Sequence, residues 1–556
     1  MRRQKRKPIN WFLIGILALP LVAAGAYFWA TGMIDSLMAY RSPLANNPPA
    51  PGEALGQPLT RKVVIVLIDA LRLDTSANAA VMPYLNGLRA EGASATMVSR
   101  PPSFSAPGWA TLLTGAWPDL NDADIFNPAD EYSARTFTQD DIFAAAHRLG
   151  LKTAVSGYSW FEQMLANSNV DAVFSTIGED NAADREVVDA ALPWLQGDYQ
   201  LVLIHIDQID YAGHHEGGPR GPNWNAAATR SDDLLREIAG QLDLSQDTLI
   251  VLADHGQINI GGHGGTEPVT LTEPFVALGA GILPGEYAEI QMVDVAPTVA
   301  VLLGTDFPAS GQGRPRLELL DVTPERMAEI QSVLKVQQET LFNAYTRAIG
   351  KTAVITDTGT VVGSVQIAME RARMSRLGNE RIWRNVLAVF FVILPGYLLI
   401  LRREKKLLWL LVGALVYFLL FNLRYAVLDG KTYSVSSIPG QMEFILYVAV
   451  TAGIAVMVGW LVAMFGLRAW RSGARLASGT SLGYLWMVLY ILAIPILLNF
   501  AVNGLAATWT LPVFNVQFFG FFSVVQALFV AAVGLILIGL SAVVAQIYRF
   551  VLQRKP

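Results

Sequence analysis

Two kinds of apolar segment alternate with polar chain in this sequence, and they differ in length. Four short runs lie in the first half of the chain, at Val63–Ile68, Leu151–Gly157, Leu201–Ile206 and Thr248–Leu252, with amphipathic stretches between them. Continuous apolar runs of this length are typical of parallel strands that helices cover on both faces. The pattern therefore predicts an α/β domain built on a parallel sheet with helices on both faces.

Six much longer apolar runs occupy the two ends of the chain, and each is about as long as a helix that crosses a bilayer. One is N-terminal and five are C-terminal: Trp11–Thr31, Val386–Leu401, Leu407–Leu423, Phe444–Phe465, Leu482–Phe500 and Phe521–Val544. A cleaved signal peptide is the alternative for the first run, since small residues occur at Ala23, Ala24 and Gly25. Its apolar length favours an anchor.

Basic clusters predict the orientation of these spans. Met1–Lys7 is strongly basic, and further clusters occur at 402–406, 468–475 and 549–555. Six spans put all four clusters on the same side, as the positive-inside rule requires. We predict a multi-pass protein of the cell or endoplasmic reticulum membrane with cytoplasmic termini, in which residues from about 33 to 383 are extracytoplasmic.

These segments predict five regions. They are a basic flank with an N-terminal anchor (1–32), a linker rich in proline and asparagine (33–60), a catalytic domain (61–320), a helical juxtamembrane region (321–384) and a five-span region (385–556). Thr323 and Pro324 are typical of a helix start. The stretch from Val365 to Arg384 carries five arginines, which predict either a solvated helix face or contact with lipid headgroups.

Composition removes several classes of function. The 556-residue chain has no cysteine, which excludes disulfides, thiolate metal sites and cysteine nucleophiles. Only 16% of its residues are charged, and its mean hydropathy of +0.38 reflects the apolar ends. The net charge is −5, with no basic cluster near the candidate site, so no nucleic-acid partner is expected.

Histidines and aspartates gather after two of the predicted strands. Four of the six histidines lie between His214 and His263. Asp254 and His255 follow one strand directly, and Asp210 follows another. Functional groups in open α/β sheets collect at the carboxyl ends of the strands, and mixtures of histidine and carboxylate suit metal ions. The sequence therefore predicts a metal site here rather than an ordinary polar loop.

A hydroxyl nucleophile is also available. Asp69 ends the first strand, and Ser103 and Ser105 lie in a turn before a short helical run, PPSFSAPGWATLLTG. A serine here would cap the helix, attack phosphorus after activation by a metal ion, or do both. A helix N-terminus also favours the negative charge of a phosphoryl group.

In chain order, LIDALRLD, PPSFSAPGWATLLTG, IDYAGHHEG, ADHGQINIGGHGG and MVDVAPTVAVLLG resemble the alkaline phosphatase superfamily. They are most similar to type I phosphodiesterases and nucleotide pyrophosphatases, and to the ethanolamine phosphate transferases of glycolipid anchor synthesis. The likeness covers about residues 62–313, and HGGTEPVTLTEPFVALGAGI is especially close to the transferases. It implies an alkaline-phosphatase-like domain.

The resemblance also implies two zinc ions, with other divalent metals as alternatives. One would be held by Asp69, Asp254, His255 and the oxygen of the nucleophile Ser105, and the other by Asp210, His214 and His263. Asp207 and His215 are expected outside the ligand set. The diesterase branch has a phosphate-contacting asparagine some twenty positions after the nucleophile, and Asn127 stands near that spacing.

These observations predict a zinc-dependent phosphodiesterase or phosphoryl-transfer enzyme acting on phosphodiesters or lipid-linked phosphates, with membrane lipids as partners. Phosphoethanolamine transfer to a lipid or glycolipid is the alternative. A sulfatase is disfavoured because Ser105-Ala106-Pro107-Gly108-Trp109 lacks the arginine of the C/S-x-P-x-R motif. A transporter is disfavoured because Asn422, Arg424 and Gln526 are almost the only strongly polar residues of the C-terminal spans.

Overall fold

The computed structural model describes residues 10–402, 405–438 and 440–553. Its strands form one sheet: β1 (Lys62–Ile68), β2 (Ala93–Val98), β3 (Thr153–Tyr158), β4 (Ala172–Thr176), β5 (Leu201–Ile206), β6 (Asp247–Leu252), β7 (Thr272–Gly279), β8 (Gly285–Glu286) and β9 (Ile290–Gln291). The strand order is β4-β3-β5-β1-β6-β7-β2-β8, and β9 pairs with β2. The four strands predicted from the short apolar runs are β1, β3, β5 and β6.

The predicted α/β sheet is confirmed, with one strand running the other way. The segment β4-β3-β5-β1-β6 is wholly parallel. β7 is antiparallel to β6 and to β2, so the sheet is mixed and mainly parallel. The reversal follows from the chain path, because β7 comes back beside β6 through the loop that carries His263.

Helices make up most of the remaining chain. They are α1 (Trp11–Met38), α2 (Leu73–Ser76), α3 (Pro83–Glu91), α4 (Ser105–Thr114), α5 (Ile142–Arg148), α6 (Trp160–Met164), α7 (Asn181–Gln196), α8 (Gln208–His215), α9 (Pro222–Ala239), α10 (Val295–Leu303), α11 (Pro324–Ala348), α12 (Val361–Arg402), α13 (Lys405–Asn422), α14 (Gln441–Gly466), α15 (Ala474–Asn503) and α16 (Phe514–Gln553). Thr323 caps α11 by accepting a hydrogen bond from the Arg326 amide, as predicted.

Burial on both sides explains why the central strand β1 is apolar from Val63 to Ile68. Val63, Ile65 and Leu67 belong to one buried cluster, whereas Val64, Val66 and Ile68 belong to a second cluster on the opposite face. Alternate side chains of a strand point to opposite faces, so both faces of the sheet are covered. This burial holds the strand rigidly.

The register of β1 aligns three strand ends. Ile68 pairs with Ile206 on β5, and Leu67 pairs with Leu252 on β6. The residues that follow these positions therefore leave the sheet at the same edge. This alignment positions the candidate site.

Within the described residues, six helices are long and apolar enough to cross a membrane: α1, α12, α13 with the turn that follows it, α14, α15 and α16. They match the predicted number and distribution of spans, and they indicate a multi-pass membrane protein. α12 differs from the prediction because the arginine-rich stretch and the second span form one continuous helix. Pro395 lies inside it without ending it, and the predicted boundary after residue 384 falls within it.

The five arginines of the stretch from Val365 to Arg384 all have partners within the chain, and their contact with solvent or with lipid headgroups stays a prediction. Arg376 and Arg384 pair with Glu380, and Arg373 pairs with Glu370. Arg381 donates to the Val502 carbonyl at the end of α15. The Arg381 contact attaches α12 to α15, whereas the ion pairs lie within α12 itself. The predicted basic flank at 1–7, and parts of the clusters at 402–406 and 549–555, lie outside the described residues.

The orientation of the spans stays a prediction, and single cysteines test it without removing a native thiol. Glu53, Thr508 and Arg471 are all exposed. Cysteines at positions 53 and 508 should react with an impermeant thiol reagent on intact cells, whereas one at position 471 should react only after permeabilisation. Labelling of position 471 on intact cells would overturn the proposed orientation.

Candidate active site

Three neighbouring strand ends bring carboxylates together. Asp69 follows β1, Asp210 lies in the first turn of α8 after β5, and Asp254 follows β6. One oxygen each of Asp69 and Asp210 and a ring nitrogen of His255 lie within 4.8 Å of one another. The three strand ends therefore form a single site.

The first predicted ligand group surrounds His255. Its Nε2 lies 3.4 Å from Asp69 Oδ1 and 3.5 Å from Asp254 Oδ2. The Ser105 hydroxyl oxygen is 3.2 Å from the same nitrogen. All four side chains are at most 5% exposed, so the group is screened from bulk water.

The second predicted group is Asp210, His214 and His263. Its ligand atoms also lie within 4.8 Å of one another. His214 Nε2 is 3.4 Å from Asp210 Oδ2, and His263 Nε2 is 3.6 Å from Asp210 Oδ1. The two imidazole Nε2 atoms face each other at 2.9 Å. The structure thus brings all seven predicted ligand residues into one cluster, and metal binding by them stays a prediction.

Hydrogen bonds to backbone carbonyls indicate which imidazole nitrogen carries the proton and which has a free lone pair. His263 Nδ1 is 3.0 Å from the Ser103 carbonyl oxygen, and His255 Nδ1 is 3.2 Å from the Gly256 carbonyl oxygen. A carbonyl oxygen only accepts, so Nδ1 carries the proton and Nε2 presents a lone pair to the cluster. Metal-binding histidines are commonly oriented in this way.

Ser105 is the first residue of α4, and neither candidate serine caps that helix. The N-cap is Phe104, which has no side-chain capping bond. Ser103 instead accepts a hydrogen bond from the Gly264 amide. Asn127 lies beside the nucleophile, because its Nδ2 is 3.4 Å from Ser105 Oγ and its Oδ1 accepts from the Ala106 amide.

Several residues of the site were missed or given no role by sequence reasoning. His205 Nε2 lies 3.0 Å from Asp69 Oδ2, and Asp207 joins these two in a third compact group. Trp109 donates to Asp254 Oδ2 at 2.8 Å, and the Gln257 amide donates to Asp210 Oδ1. His205 stands inside an apolar run, where a lone histidine gives little signal, whereas Gln257 lies only two positions after His255.

Burial sets the charge states of these groups. It raises the pKa of Asp69 well above its usual range, and nearby Asp254 adds to the effect. Burial also raises the pKa of Asp254 to about 7. The same desolvation lowers the pKa of His255 to about 4 and that of His263 to about 3, so both imidazoles are neutral.

The cluster therefore has the properties of a cation site. Asp69 Oδ1 is buried without a hydrogen-bond partner among the described residues. Neutral imidazoles offer lone pairs, and crowded carboxylates lack a counter-charge. Divalent cations such as zinc bind this set of donors and compensate the carboxylate charge. The residues fit the implied metal ions.

Two glycines allow the chain around Ser105 to approach the segment from Asp254 to Glu267, hereafter the ligand loop because it carries three predicted ligands. Gly264 has a φ of +96°, and a Cβ there would lie 2.2 Å from the Phe104 ring. At Gly108 a Cβ would lie 3.1 Å from that of Asp254. Larger side chains at these positions would push α4 away from the end of β6.

The ligand loop is also attached to the membrane helices. Ser436, in the segment between α13 and α14, donates to Glu267 at 2.9 Å and accepts from the Gly265 amide at 2.9 Å. Ser434 bonds the same carboxylate. His263 is therefore held by contacts that reach the spanning region.

Neither Arg72 nor Arg100 supplies a free cation to this cluster. Arg72 forms a salt bridge with Asp74 and donates to Asn259. Arg100 packs over the Trp117 ring, 4.3 Å from its centroid, in a neighbouring pocket. A second phosphate charge would find little compensation from these side chains.

Comparison with known proteins shows to which class of protein domain residues 63–302 belong. A family described as "Type I phosphodiesterase / nucleotide pyrophosphatase" matches residues 63–302. That region is a type I phosphodiesterase domain of the alkaline phosphatase superfamily. The matched region makes up less than half of the chain, so the activity of the whole protein is a proposal.

Two curated relatives are similar to this chain over about half of its length. The chain is 27% identical over 312 residues to human GPI ethanolamine phosphate transferase 2, catalytic subunit. This match covers 50% of this chain and 31% of that protein. It is 25% identical over 307 residues to GPI ethanolamine phosphate transferase 2 of Kluyveromyces lactis, covering 50% and 39%. The match thus spans between 31% and 39% of the length of these distant homologues.

The solved structure of human ectonucleotide pyrophosphatase / phosphodiesterase 5 is similar to part of this chain, with 14% sequence identity and a TM-score of 0.39. The match covers 47% of this chain and 100% of the chain in that structure.

We predict that a strong chelator abolishes turnover of a chromogenic phosphodiester and that zinc restores it. His263→Ala and Asp254→Asn should each lower turnover by more than about a hundredfold, because changes even outside the ligand set cost up to that much. The matched control is His215→Ala, which alters an exposed histidine beside His214. Metal content of the purified full chain, measured by mass spectrometry, should fall in the first two variants only. Full activity and metal content in His263→Ala would refute the second ligand group.

Proposed function

We propose that this protein is a membrane-bound transferase that moves a phosphoethanolamine group from a phosphodiester lipid to the hydroxyl of a lipid or glycolipid, with Ser105 as nucleophile. The carrying observation is the buried Ser105 hydroxyl, 3.2 Å from His255 Nε2 at the start of α4. The names of the distant homologues support the transferred group. The chain covers only part of their length, so activity, substrate and acceptor are all proposed.

The arrangement of Ser105 supports a two-step reaction. In the first step Ser105 Oγ forms a bond to phosphorus while the bond from phosphorus to the donor lipid's oxygen breaks. In the second step the acceptor hydroxyl forms its bond to phosphorus and the bond to Ser105 Oγ breaks. Overall, the serine proton leaves with the first alcohol, and the acceptor's hydroxyl proton returns to Ser105.

Neighbouring groups would orient the phosphoryl oxygens. Asn127 presents its amide nitrogen 3.4 Å from Ser105 Oγ, and Ser105 stands at the N-terminus of α4, which favours negative charge. Such fixed donors stabilise negative charge that develops during transfer. Trp109 keeps Asp254 in position and helps to exclude water.

We propose that zinc ions are held by the two ligand groups described above. When bound, they would supply positive charge that favours the ionised serine and the departing oxygen. The protein keeps the donor atoms buried and keeps the imidazoles neutral. It also orients the donor atoms toward the positions of the metal ions.

Phosphodiesters are the preferred substrates in this proposal. A monoester carries an additional charge, and the side chains of Arg72 and Arg100 are engaged elsewhere. Hydrolysis of a phosphodiester, in which water takes the place of the acceptor, is the second candidate. It is favoured by the family match of residues 63–302.

We predict that Ser105→Ala abolishes both hydrolysis and transfer, because no covalent intermediate forms. Ser105→Thr keeps a hydroxyl at the same position and should retain measurable turnover. The assay uses the full chain in lipid vesicles, a radiolabelled phosphodiester lipid as donor and a soluble chromogenic diester in parallel. Substantial turnover of both substrates by Ser105→Ala would remove Ser105 from the mechanism.

Product analysis separates the two candidate functions. Radiolabel that moves to a second lipid supports transfer, whereas radiolabelled phosphoethanolamine in water supports hydrolysis. Diesters should be cleaved at least about tenfold faster than matched monoesters, the factor that about 1.4 kcal/mol of lost charge compensation produces. Faster cleavage of monoesters would contradict the proposed diester preference.

A further inference from the structure

A large apolar cleft lies between the membrane helices and the candidate active site. Its volume is about 470 Å³, and it is lined by α1, α14, α16, the segment before α14 and three loops of the phosphodiesterase domain. The lining includes Ala30, Leu37, Phe444, Phe518 and Phe521. These side chains offer hydrocarbon contacts and no charge.

The part of α1 that lines the cleft is about as long as one lipid leaflet is deep. Along α1 it extends from Ala26 to Met38, which corresponds to about 18 Å of helix. Half of the hydrocarbon core of a bilayer is about 15 Å thick. The lined part of α1 is the half next to the phosphodiesterase domain, so an acyl chain of that leaflet has the matching length and surroundings.

Phe104 connects the cleft to the reactive groups. Its ring lines the cleft and packs edge-on against the His263 ring, with the centroids 5.5 Å apart. Phe104 is also the residue immediately before the nucleophile Ser105. Gly264, directly after His263, lines the same cleft. An acyl chain bound in the cleft therefore ends beside the atoms proposed to react.

One polar side chain of the cleft lacks a partner. Gln517, in the first turns of α16, lines the cleft and is only 7% exposed. Its side-chain carbonyl oxygen has no hydrogen-bond partner among the described residues. A buried amide without a partner is costly, and it offers one acceptor and two donors. A lipid hydroxyl would donate to this carbonyl oxygen, and a lipid ester group would accept from the amide nitrogen of Gln517.

We infer that this cleft, hereafter the lipid cleft, binds an acyl chain of a membrane glycerolipid, with Gln517 contacting the polar backbone and Phe104 separating the chain from the metal-ligand cluster. The inference rests on the proposed function and adds how its substrate is selected. The lipid enters from the leaflet beside the phosphodiesterase domain, and its phosphodiester reaches Ser105 without leaving the membrane surface. The metal-ligand cluster then selects the lipid by its headgroup, and the lipid cleft selects it by the length of its acyl chain.

Filling the lipid cleft tests the inference. Ala30→Trp adds a large side chain to its wall, and Gln517→Leu removes the unpartnered amide while keeping a similar length. The matched control is Ala24→Trp, on the same helix but exposed outside the cleft. The full chain is studied in phosphatidylcholine vesicles that contain a long-chain phospholipid with a photoactivatable group in its acyl chain.

Two readouts are used. Photocrosslinking should label residues 26–38 of the unaltered protein, and labelling should fall at least fivefold in Ala30→Trp but not in Ala24→Trp. The ratio of lipid turnover to soluble-diester turnover should fall at least tenfold in Ala30→Trp and severalfold in Gln517→Leu. Unchanged crosslinking and an unchanged ratio in Ala30→Trp would overturn the lipid cleft.

The two proposals fail in different ways. Crosslinking to residues 26–38 that Ala30→Trp blocks, together with no turnover of any phosphodiester by the unaltered protein, would retain the lipid cleft and reject the proposed transferase. Turnover of both substrates with crosslinking elsewhere on the protein would retain the enzyme and reject the lipid cleft. Equal loss of both activities in Ala30→Trp with unchanged crosslinking would also reject it.

Discussion

Crowding of carboxylates in a desolvated pocket is the constraint on which the rest of this structure depends. Asp69, Asp207 and Asp254 are each at most 9% exposed, and Asp210 adjoins them. Charges of one sign cannot be buried together without compensation. The neutral histidines and the unpartnered Asp69 oxygen suit cations in the same space. The rigid sheet holds these groups together at a cost that bound metal ions would offset.

The membrane region takes part in the same arrangement. The loop that carries His263 continues to Glu267, which Ser434 and Ser436 hold from the segment between α13 and α14. Thr266 bonds Asn515 at the start of α16. Because the loop is attached at both sides, the position of the ligand cluster depends on the packing of the helices. The helices therefore do more than anchor the domain, since their walls also form the cleft that leads to it.

Apolar patterning predicted only part of the sheet. β1, β3, β5 and β6 lie inside it and read as apolar runs because helices cover both faces. β4 is an edge strand with alternating half-buried and exposed residues, and β7 contains Glu273 and Pro274, so neither forms such a run. The direction of β7 depends on the path of the preceding loop. Local sequence does not encode that path.

The sequence by itself determined the number of spanning helices, the parallel centre of the sheet and the chemical types in the candidate site. Those features follow from apolar length, strand periodicity and the spacing of aspartate and histidine, which are local properties of the chain. Only the tertiary structure decided that His205 and Gln257 join the cluster, and that Asn127 lies beside Ser105. It alone brought Phe104 between His263 and an apolar cleft. These contacts join residues far apart in sequence, and only packing of the sheet against the helices brings them together.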